Sequence, residues 1–282
     1  MNDSIIDETN YSDHIERHLG PQQALPLTWL IPLTVIYLVI LMSGLIGNLI
    51  TILVVFRFRY MQTITNLYLC NLAITDLISL MFSLPLELYS LWHQYPWQLG
   101  GIMCQLKTLV LEGTANASVL TLVAFTVERF LAICGSSNSM PPSQCIFNPK
   151  SVSRIKRIAC RNIAFIWMIS LCGAAPLVTL TRINYLEYQS EPLMQSAWCG
   201  LPYNEPDKRW ELVMLSSTIA FFLIPLAVIS CLYYQIARKL KQATLLDSFT
   251  HSDIHLTDHA TSRKIVQSRK IVIRMLGMNL FF

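Results

Sequence analysis

The chain has 282 residues, of which 53% are hydrophobic and only 13% are charged, with a formal net charge of +4. Soluble globular domains carry roughly 25% charged residues, so the composition fits either one large buried core or a membrane protein. Residues 29–56, 162–181 and 212–237 contain no Asp, Glu, Lys or Arg. Each stretch reaches the roughly 20 residues that a helix needs to cross a bilayer. The sequence therefore predicts an all-α protein that crosses the membrane several times.

Basic residues are distributed unevenly between the two predicted sides. If the N-terminus is outside, sixteen of the 21 basic residues lie on the inner side and five on the outer side. This bias follows the positive-inside rule and predicts an extracellular N-terminus. Nucleic-acid binding would also explain a basic chain, but these residues lie at helix ends without interleaved aromatic residues. We therefore expect no nucleic-acid partner.

The predicted elements begin with a polar tail over residues 1–28, with two glycosylation sequons at Asn2 and Asn10. Disorder is the alternative interpretation of this tail. A membrane bundle follows over residues 29–282, with helices at about 29–57, 65–92, 104–134, 159–181, 211–238 and a partial one at 268–282. Residues 271–282 supply twelve positions where roughly 20 are needed, so we expect the chain to stop within a sixth helix.

Ionisable residues occur inside two of the predicted helices. The second helix contains Asp76 and Glu87, and the third contains Lys107 and Glu112. Ionisable groups at membrane depth usually face the bundle interior and serve function. Asp76 and Glu87 are about three helical turns apart, which predicts that both point to nearly the same face.

The eight cysteines lack the spacing of metal ligands. Cys104 and Cys199 fall on the predicted outer side, where a disulfide can persist. Four others lie inside helices and are expected to be small buried hydrophobes: Cys70, Cys160, Cys172 and Cys231. Three histidines, at positions 251, 255 and 259, have a spacing that could bind metal on a helix, but a solvated loop is favoured.

Motifs for catalysis and transport are missing from the sequence. It contains no P-loop, HExxH or GxSxG, so an enzyme is not expected. No inverted repeat relates the two halves, which disfavours a small transporter.

A set of motifs in chain order resembles the rhodopsin-like, class A G-protein-coupled receptors. The set comprises Gly-x-x-Gly-Asn ending at Asn48, Asn-Leu-Ala-x-x-Asp ending at Asp76, Cys104, Glu128-Arg129-Phe130, Trp167, Pro225 and Tyr233. Residues 84–97, with Glu112 and residues 117–121, are similar to the neuromedin U and pyrokinin receptor group. The resemblance covers roughly residues 30–282 and implies a seven-transmembrane bundle of which five helices and part of the sixth are present.

The resemblance implies an outer site for an amidated neuropeptide. A Cys104–Cys199 disulfide would tie the outer loop to the third helix. Glu87 and Glu112 would bind the arginine in the amidated tail of the peptide, since a guanidinium pairs with carboxylates in a fork geometry. Internal pairing of Glu112 with a base such as Lys107 is the alternative.

The resemblance also implies an inner switch and a mid-membrane ion. Glu128, Arg129, Phe130 and Tyr233 would form the switch toward a heterotrimeric G protein, with signalling through Gq, phospholipase C and calcium. Asp76, Asn48 and Ser118 match a sodium site, for which a protonated or hydrogen-bonded Asp76 is the alternative. We expect no other cofactor. Membrane lipid and a second receptor molecule are further candidate partners, at the plasma membrane.

The sequence departs from the family pattern in two places. The connection between Arg129 and Trp167 is longer than usual, which suggests an insertion or a mis-joined exon over residues 135–147. The end of the sixth helix and the whole seventh are missing from the sequence. A truncated, non-signalling isoform that acts as a decoy or dominant-negative partner is therefore the alternative function.

Overall fold

The computed structural model describes residues 14–23, 25–134, 149–188, 191–202 and 209–253, with residues 149–153, 155 and 243–253 described by their backbone only. Within these residues, five helices are long and apolar enough to cross a membrane. In chain order we name them the first to fifth spans: Leu27–Arg57, Ile64–Trp92, Gly100–Cys134, Lys156–Leu180 and Arg209–Gln242. The membrane-protein prediction is thereby confirmed.

Two of the helices extend further than predicted. The helix of the fourth span begins at Pro149, and that of the fifth span continues to Asp253. Residues 243–253 are therefore helical, and the prediction that they belong to a polar loop was wrong. The partial sixth helix, the insertion over residues 135–147 and two of the three histidines, at positions 255 and 259, lie outside the described residues.

Proline explains an irregularity in the second and fifth spans. The second span consists of helix Ile64–Ile78, a π turn Ser79–Ser83 and helix Leu84–Trp92. The fifth span repeats this plan with helix Arg209–Thr218, a π turn Ile219–Leu223 and helix Ile224–Asp253. Each π turn ends two residues before a proline, Pro85 or Pro225. A proline ring collides with the carbonyl four residues earlier in an α-helix, and the wider π turn moves that carbonyl away.

The π turn of the second span corrects one prediction. The amide of Leu84 donates to the carbonyl of Ser79, five residues back, so the turn takes up one extra residue. All residues beyond it are rotated by about 100° relative to a continuous α-helix. Asp76 and Glu87 lie on opposite sides of this turn, and therefore do not share one face as uniform helical spacing predicts.

Each π turn packs on a glycine of a neighbouring span. A Cβ atom at Gly44 would collide with Leu80 in the first π turn, and a Cβ atom at Gly173 would collide with the ring of Phe221 in the second. Small residues let membrane helices approach closely. The two glycines therefore position the second span against the first, and the fifth against the fourth.

The described chain forms two compact units. The first contains the described residues up to 125 together with those from 149 to 225, and its buried cluster consists of Tyr68, Ala117 and Ile166, from the second, third and fourth spans. The second unit contains residues 126–134 and 226–253. It includes the last turns of the third span, and Ile236 is fully buried there.

A β-hairpin follows the fourth span. Strand β1, Arg182–Tyr188, pairs antiparallel with β2, Glu191–Gly200, and Ile183 lies opposite Cys199. The register shifts between Asn184 and Leu186. The sequence predicts an outer loop here, and the structure folds most of that loop into the hairpin. The rest of the fold is helical, so the all-α membrane fold is confirmed.

Part of the N-terminal tail is ordered against the connections between spans. Residues 14–19 form a short helix in which Ile15 is only 4% exposed. The hydroxyl of Tyr95 donates to the carbonyl of Gly20 at 2.6 Å, and the ring of His14 contacts that of Tyr188 at 5.1 Å between centroids. Disorder is therefore the wrong interpretation for this part of the tail. Asn2 and Asn10 lie outside the described residues.

Candidate functional site

A disulfide anchors the hairpin to the third span. Cys104, fully buried in the first turns of that span, is bonded to Cys199 of β2, with 5.6 Å between the two Cα atoms. The bond closes a loop of 95 residues. A cross-link of this size stabilises the folded chain by about 4–5 kcal/mol through loss of unfolded-state entropy. Of the remaining cysteines inside the spans, only Cys70 is buried, so the expectation of buried thiols was wrong for three of the four.

Trp97 makes a second attachment between the hairpin and the spans. Its amide donates to the carbonyl of Ala197 in β2 at 2.7 Å, and its indole Nε1 donates to the carbonyl of Gly100 at 3.0 Å. Gly100 begins the third span with φ of 79°, a backbone conformation that favours glycine. The sequence identified an aromatic loop here but not this role, because both partners of Trp97 are backbone carbonyls.

Glu87 has an internal counter-ion. The ammonium Nζ of Lys107 lies 3.1 Å from Oε1 of Glu87 and 3.4 Å from the hydroxyl of Ser90. The same ammonium lies 5.9 Å from the centre of the Trp97 ring. Glu87 is therefore paired within the chain, which the sequence did not predict.

The carboxylate of Glu112 differs from that of Glu87, because it has no partner among the described residues. It is half-buried in the third span, and no described residue forms a hydrogen bond or ion pair with it. Lys107 contacts Glu87 instead, so the alternative pairing of Glu112 with Lys107 is not observed. Asn116, one helical turn further along, is 4% exposed, and its Nδ2 also has no partner among the described residues. Since residues four apart share a helix face, the two unpaired polar groups are neighbours.

Two of the three residues of the predicted sodium site form hydrogen bonds with other described residues. The hydroxyl of Ser118 donates to Thr75 at 2.9 Å, and the amide of Asn48 donates to the carbonyl of Gly44 at 3.0 Å. The half-buried carboxylate of Asp76 has no partner among the described residues. Carboxylate, amide and hydroxyl oxygens suit a hard cation, so this donor set fits sodium.

A buried hydrogen-bond network joins three spans. The indole Nε1 of Trp167 donates to Oδ1 of Asn71 at 3.0 Å, and Nδ2 of Asn71 donates to Thr121 at 2.8 Å. Thr121 in turn donates to the carbonyl of Ala117 at 2.6 Å. The motif set includes Asn71 and Trp167, but their connection was missed, since it joins residues 96 positions apart.

The predicted switch residues fall within the second compact unit. Glu128, Arg129 and Phe130 lie in the last turns of the third span, and Tyr233 lies in the fifth; all four are half-buried. Glu128 and Arg129 are consecutive residues, so opposite charges lie side by side at this end of the third span.

Residues 47–282 match the family described as 7 transmembrane receptor (rhodopsin family). The chain belongs to this family, whose members are receptors, and the expectation that it is not an enzyme is confirmed.

Among similar proteins, human Neuromedin-U receptor 1 is 34% identical over 244 residues, which covers 85% of this chain and 53% of that receptor. Neuromedin-U receptor 2 of Mus musculus is 29% identical over 275 residues, covering 97% and 65%. Pyrokinin-1 receptor of Drosophila melanogaster is 33% identical over 234 residues, covering 83% and 49%. The resemblance to this receptor group is confirmed. The chain spans about half to two thirds of the length of these relatives.

Proposed function

We propose that the chain is a receptor for an amidated neuropeptide of the neuromedin U and pyrokinin type, located in the plasma membrane with its N-terminus outside. The carboxylate of Glu112, which has no partner in the part of the chain that the structure describes, carries this proposal. An ionised carboxylate without a partner inside a helical bundle is unfavourable. A ligand that brings a positive charge removes that cost, and binding is then favoured at this position.

The ligand cation that fits best is a guanidinium. Its planar fork can give two hydrogen bonds to one carboxylate, and it is more weakly hydrated than an ammonium. The names of the similar receptors support a peptide ligand for this chain. The hairpin is attached through Cys199 and Ala197, which holds strand β2 beside the start of the third span.

Binding of neuromedin U to Glu112→Gln tests the proposal. The full open reading frame amplified from native mRNA is expressed, and its affinity is compared for neuromedin U and an analogue with citrulline in place of the tail arginine. Loss of a charge-assisted hydrogen bond predicts roughly a tenfold or larger loss of affinity for the arginine peptide. Glu191→Gln, at an exposed position of β2, is the matched control and should bind normally. Unchanged binding by Glu112→Gln would remove this carboxylate from the site.

For signalling, we propose that Glu128, Arg129, Phe130 and Tyr233 form the switch toward a heterotrimeric G protein of the Gq class. Activation is then a population shift driven by the extra affinity of the peptide for the active state. Peptide-evoked calcium release that is blocked by phospholipase C inhibition is the expected result. Calcium release that is insensitive to this inhibition would exclude Gq coupling.

The alternative function is a non-signalling isoform that acts as a decoy or as a dominant-negative receptor partner. The same assay separates the two functions. Peptide binding without calcium release, together with a reduced response of a co-expressed receptor, would favour the isoform.

Two further assignments belong to this proposal. We propose sodium as a ligand of Asp76, Asn48 and Ser118, since their oxygen donors suit it; sodium-dependent peptide affinity that Asp76→Asn abolishes is expected. We also propose that Asn2 and Asn10 carry glycans, which support an outside N-terminus if glycosidase treatment shifts the mass of the chain.

A further inference from the structure

Lys107 occupies the place that a ligand cation would take beside Glu87. Its ammonium contacts the carboxylate of Glu87 at 3.1 Å and the hydroxyl of Ser90 at 3.4 Å, and lies near the ring of Trp97. These groups come from the second span and the loop that follows it, whereas Lys107 belongs to the third span. The ion pair therefore links two spans on the side of the bundle that carries the disulfide.

We propose that Lys107 is an internal substitute for the ligand cation, which holds Glu87 in the free receptor and makes that carboxylate available only after displacement. The inference rests on the proposed peptide-receptor function. In it the two acids have different roles: Glu112 is available to an incoming arginine, and Glu87 is reached only in competition with Lys107. Lys107 thereby becomes a residue that determines affinity and specificity.

Exposure and chemistry make the ion pair displaceable. The side chain of Glu87 is 43% exposed and that of Lys107 is 18% exposed. Ion pairs that remain open to solvent are weak, because water and salt screen them. A guanidinium offers a planar pair of donors to a carboxylate, whereas the ammonium of lysine acts as a point charge. An arginine can therefore compete with Lys107, and a ligand with a lysine in the same place competes less well.

The displaced ammonium keeps other contacts. It can remain bonded to the hydroxyl of Ser90 and near the face of the Trp97 ring, where a cation is attracted by the ring quadrupole. Its exchange therefore does not leave an isolated charge within the bundle. This lowers the cost of opening the pair.

The test is a double-mutant cycle on neuromedin U binding, with Lys107→Met, Glu87→Gln and the double variant in the full open reading frame. Methionine keeps most of the aliphatic stem and removes the charge. Because it frees Glu87, Lys107→Met should raise affinity roughly two- to fivefold, the range for a half-exposed ion pair. In the Glu87→Gln background the same substitution should give no gain, and the gain should vanish for the citrulline analogue. Lys107→Arg, which keeps the charge, should give no gain either.

Three results distinguish the possibilities. A gain with Lys107→Met that persists without Glu87 would show a general charge effect and would overturn the inference. Unchanged or lower affinity of a Lys107→Met receptor that still prefers arginine over citrulline would overturn the inference and leave the proposed function standing. If the unmodified receptor shows no binding, or no preference for arginine, the proposed function fails as well. Should Lys107→Met not reach the cell surface, Lys107→Gln replaces it in the same cycle.

Discussion

Asn71 is the residue whose replacement should most clearly test the packing of the second, third and fourth spans. It is 4% exposed, and its two amide atoms bond to Trp167 and Thr121. Asn71→Leu keeps a similar volume and removes both hydrogen bonds. The indole of Trp167 then loses its acceptor, whereas Thr121 retains its own bond to the carbonyl of Ala117.

The expected loss in free energy of unfolding follows from these hydrogen bonds. Hydrogen bonds between membrane helices contribute about 0.6 kcal/mol on average and up to about 1.7 kcal/mol. A buried donor that is left unpaired costs a further 1–3 kcal/mol or so, with the lower end expected for the half-buried Trp167. Asn71→Leu should therefore reduce the free energy of unfolding by about 2 kcal/mol. Thr121→Val removes the acceptor of the Asn71 amide and leaves that buried donor unpaired, so it should also cost about 2 kcal/mol.

The assay is thermal denaturation of the chain purified in detergent, with the folded fraction followed by fluorescence-detected size-exclusion chromatography. For a chain of this size, about 2 kcal/mol corresponds to a fall in Tm of about 4–8 °C. Trp167→Phe combined with Asn71→Leu should cost less than the sum of the two single changes, because no donor is then stranded. If Asn71→Leu melted at the same temperature as the unmodified chain, the hydrogen-bond network would not stabilise the packing of these three spans.

The remaining predictions concern one packing contact and one hydrogen bond. Gly173→Ala should reduce stability by about 1–3 kcal/mol, because its Cβ overlaps the aromatic ring of the fifth span; Gly47→Ala, with open space around it, should not. Equal melting temperatures of these two variants would contradict the close packing of Gly173 against the ring of Phe221. Tyr95→Phe removes the bond to the N-terminal segment, a loss of about 1 kcal/mol, and should speed cleavage of that segment by subtilisin. Burial, and then the charge of Glu16, raise the pKa of Tyr95, so the bond persists below about pH 10 and is lost as the pH rises further. Alkaline pH should therefore accelerate cleavage in the unmodified chain and not in Tyr95→Phe, and identical pH profiles would refute this.

Much of the membrane architecture could be predicted from local sequence. A stretch of about 20 residues without charge predicts a span wherever it occurs, and four of the five helix starts differ from the structure by no more than four residues. The exception is the fourth helix, where basic residues before the apolar stretch hid the start at Pro149. Cys104 and Cys199 could be selected because both lie on the predicted oxidising side.

Only the tertiary structure decided which polar groups meet. The sequence placed Glu87, Lys107 and Glu112 on neighbouring helices, but it offered only Glu112 as an internal partner of Lys107. The π turn before Pro85 rotates Glu87 relative to Asp76. Lys107 pairs with Glu87, and Glu112 has no partner among the described residues. Hydrophobicity adds up along a local stretch and is visible in the sequence. The partner of a charge depends on distances between residues far apart in the chain, and those distances exist only in the folded protein.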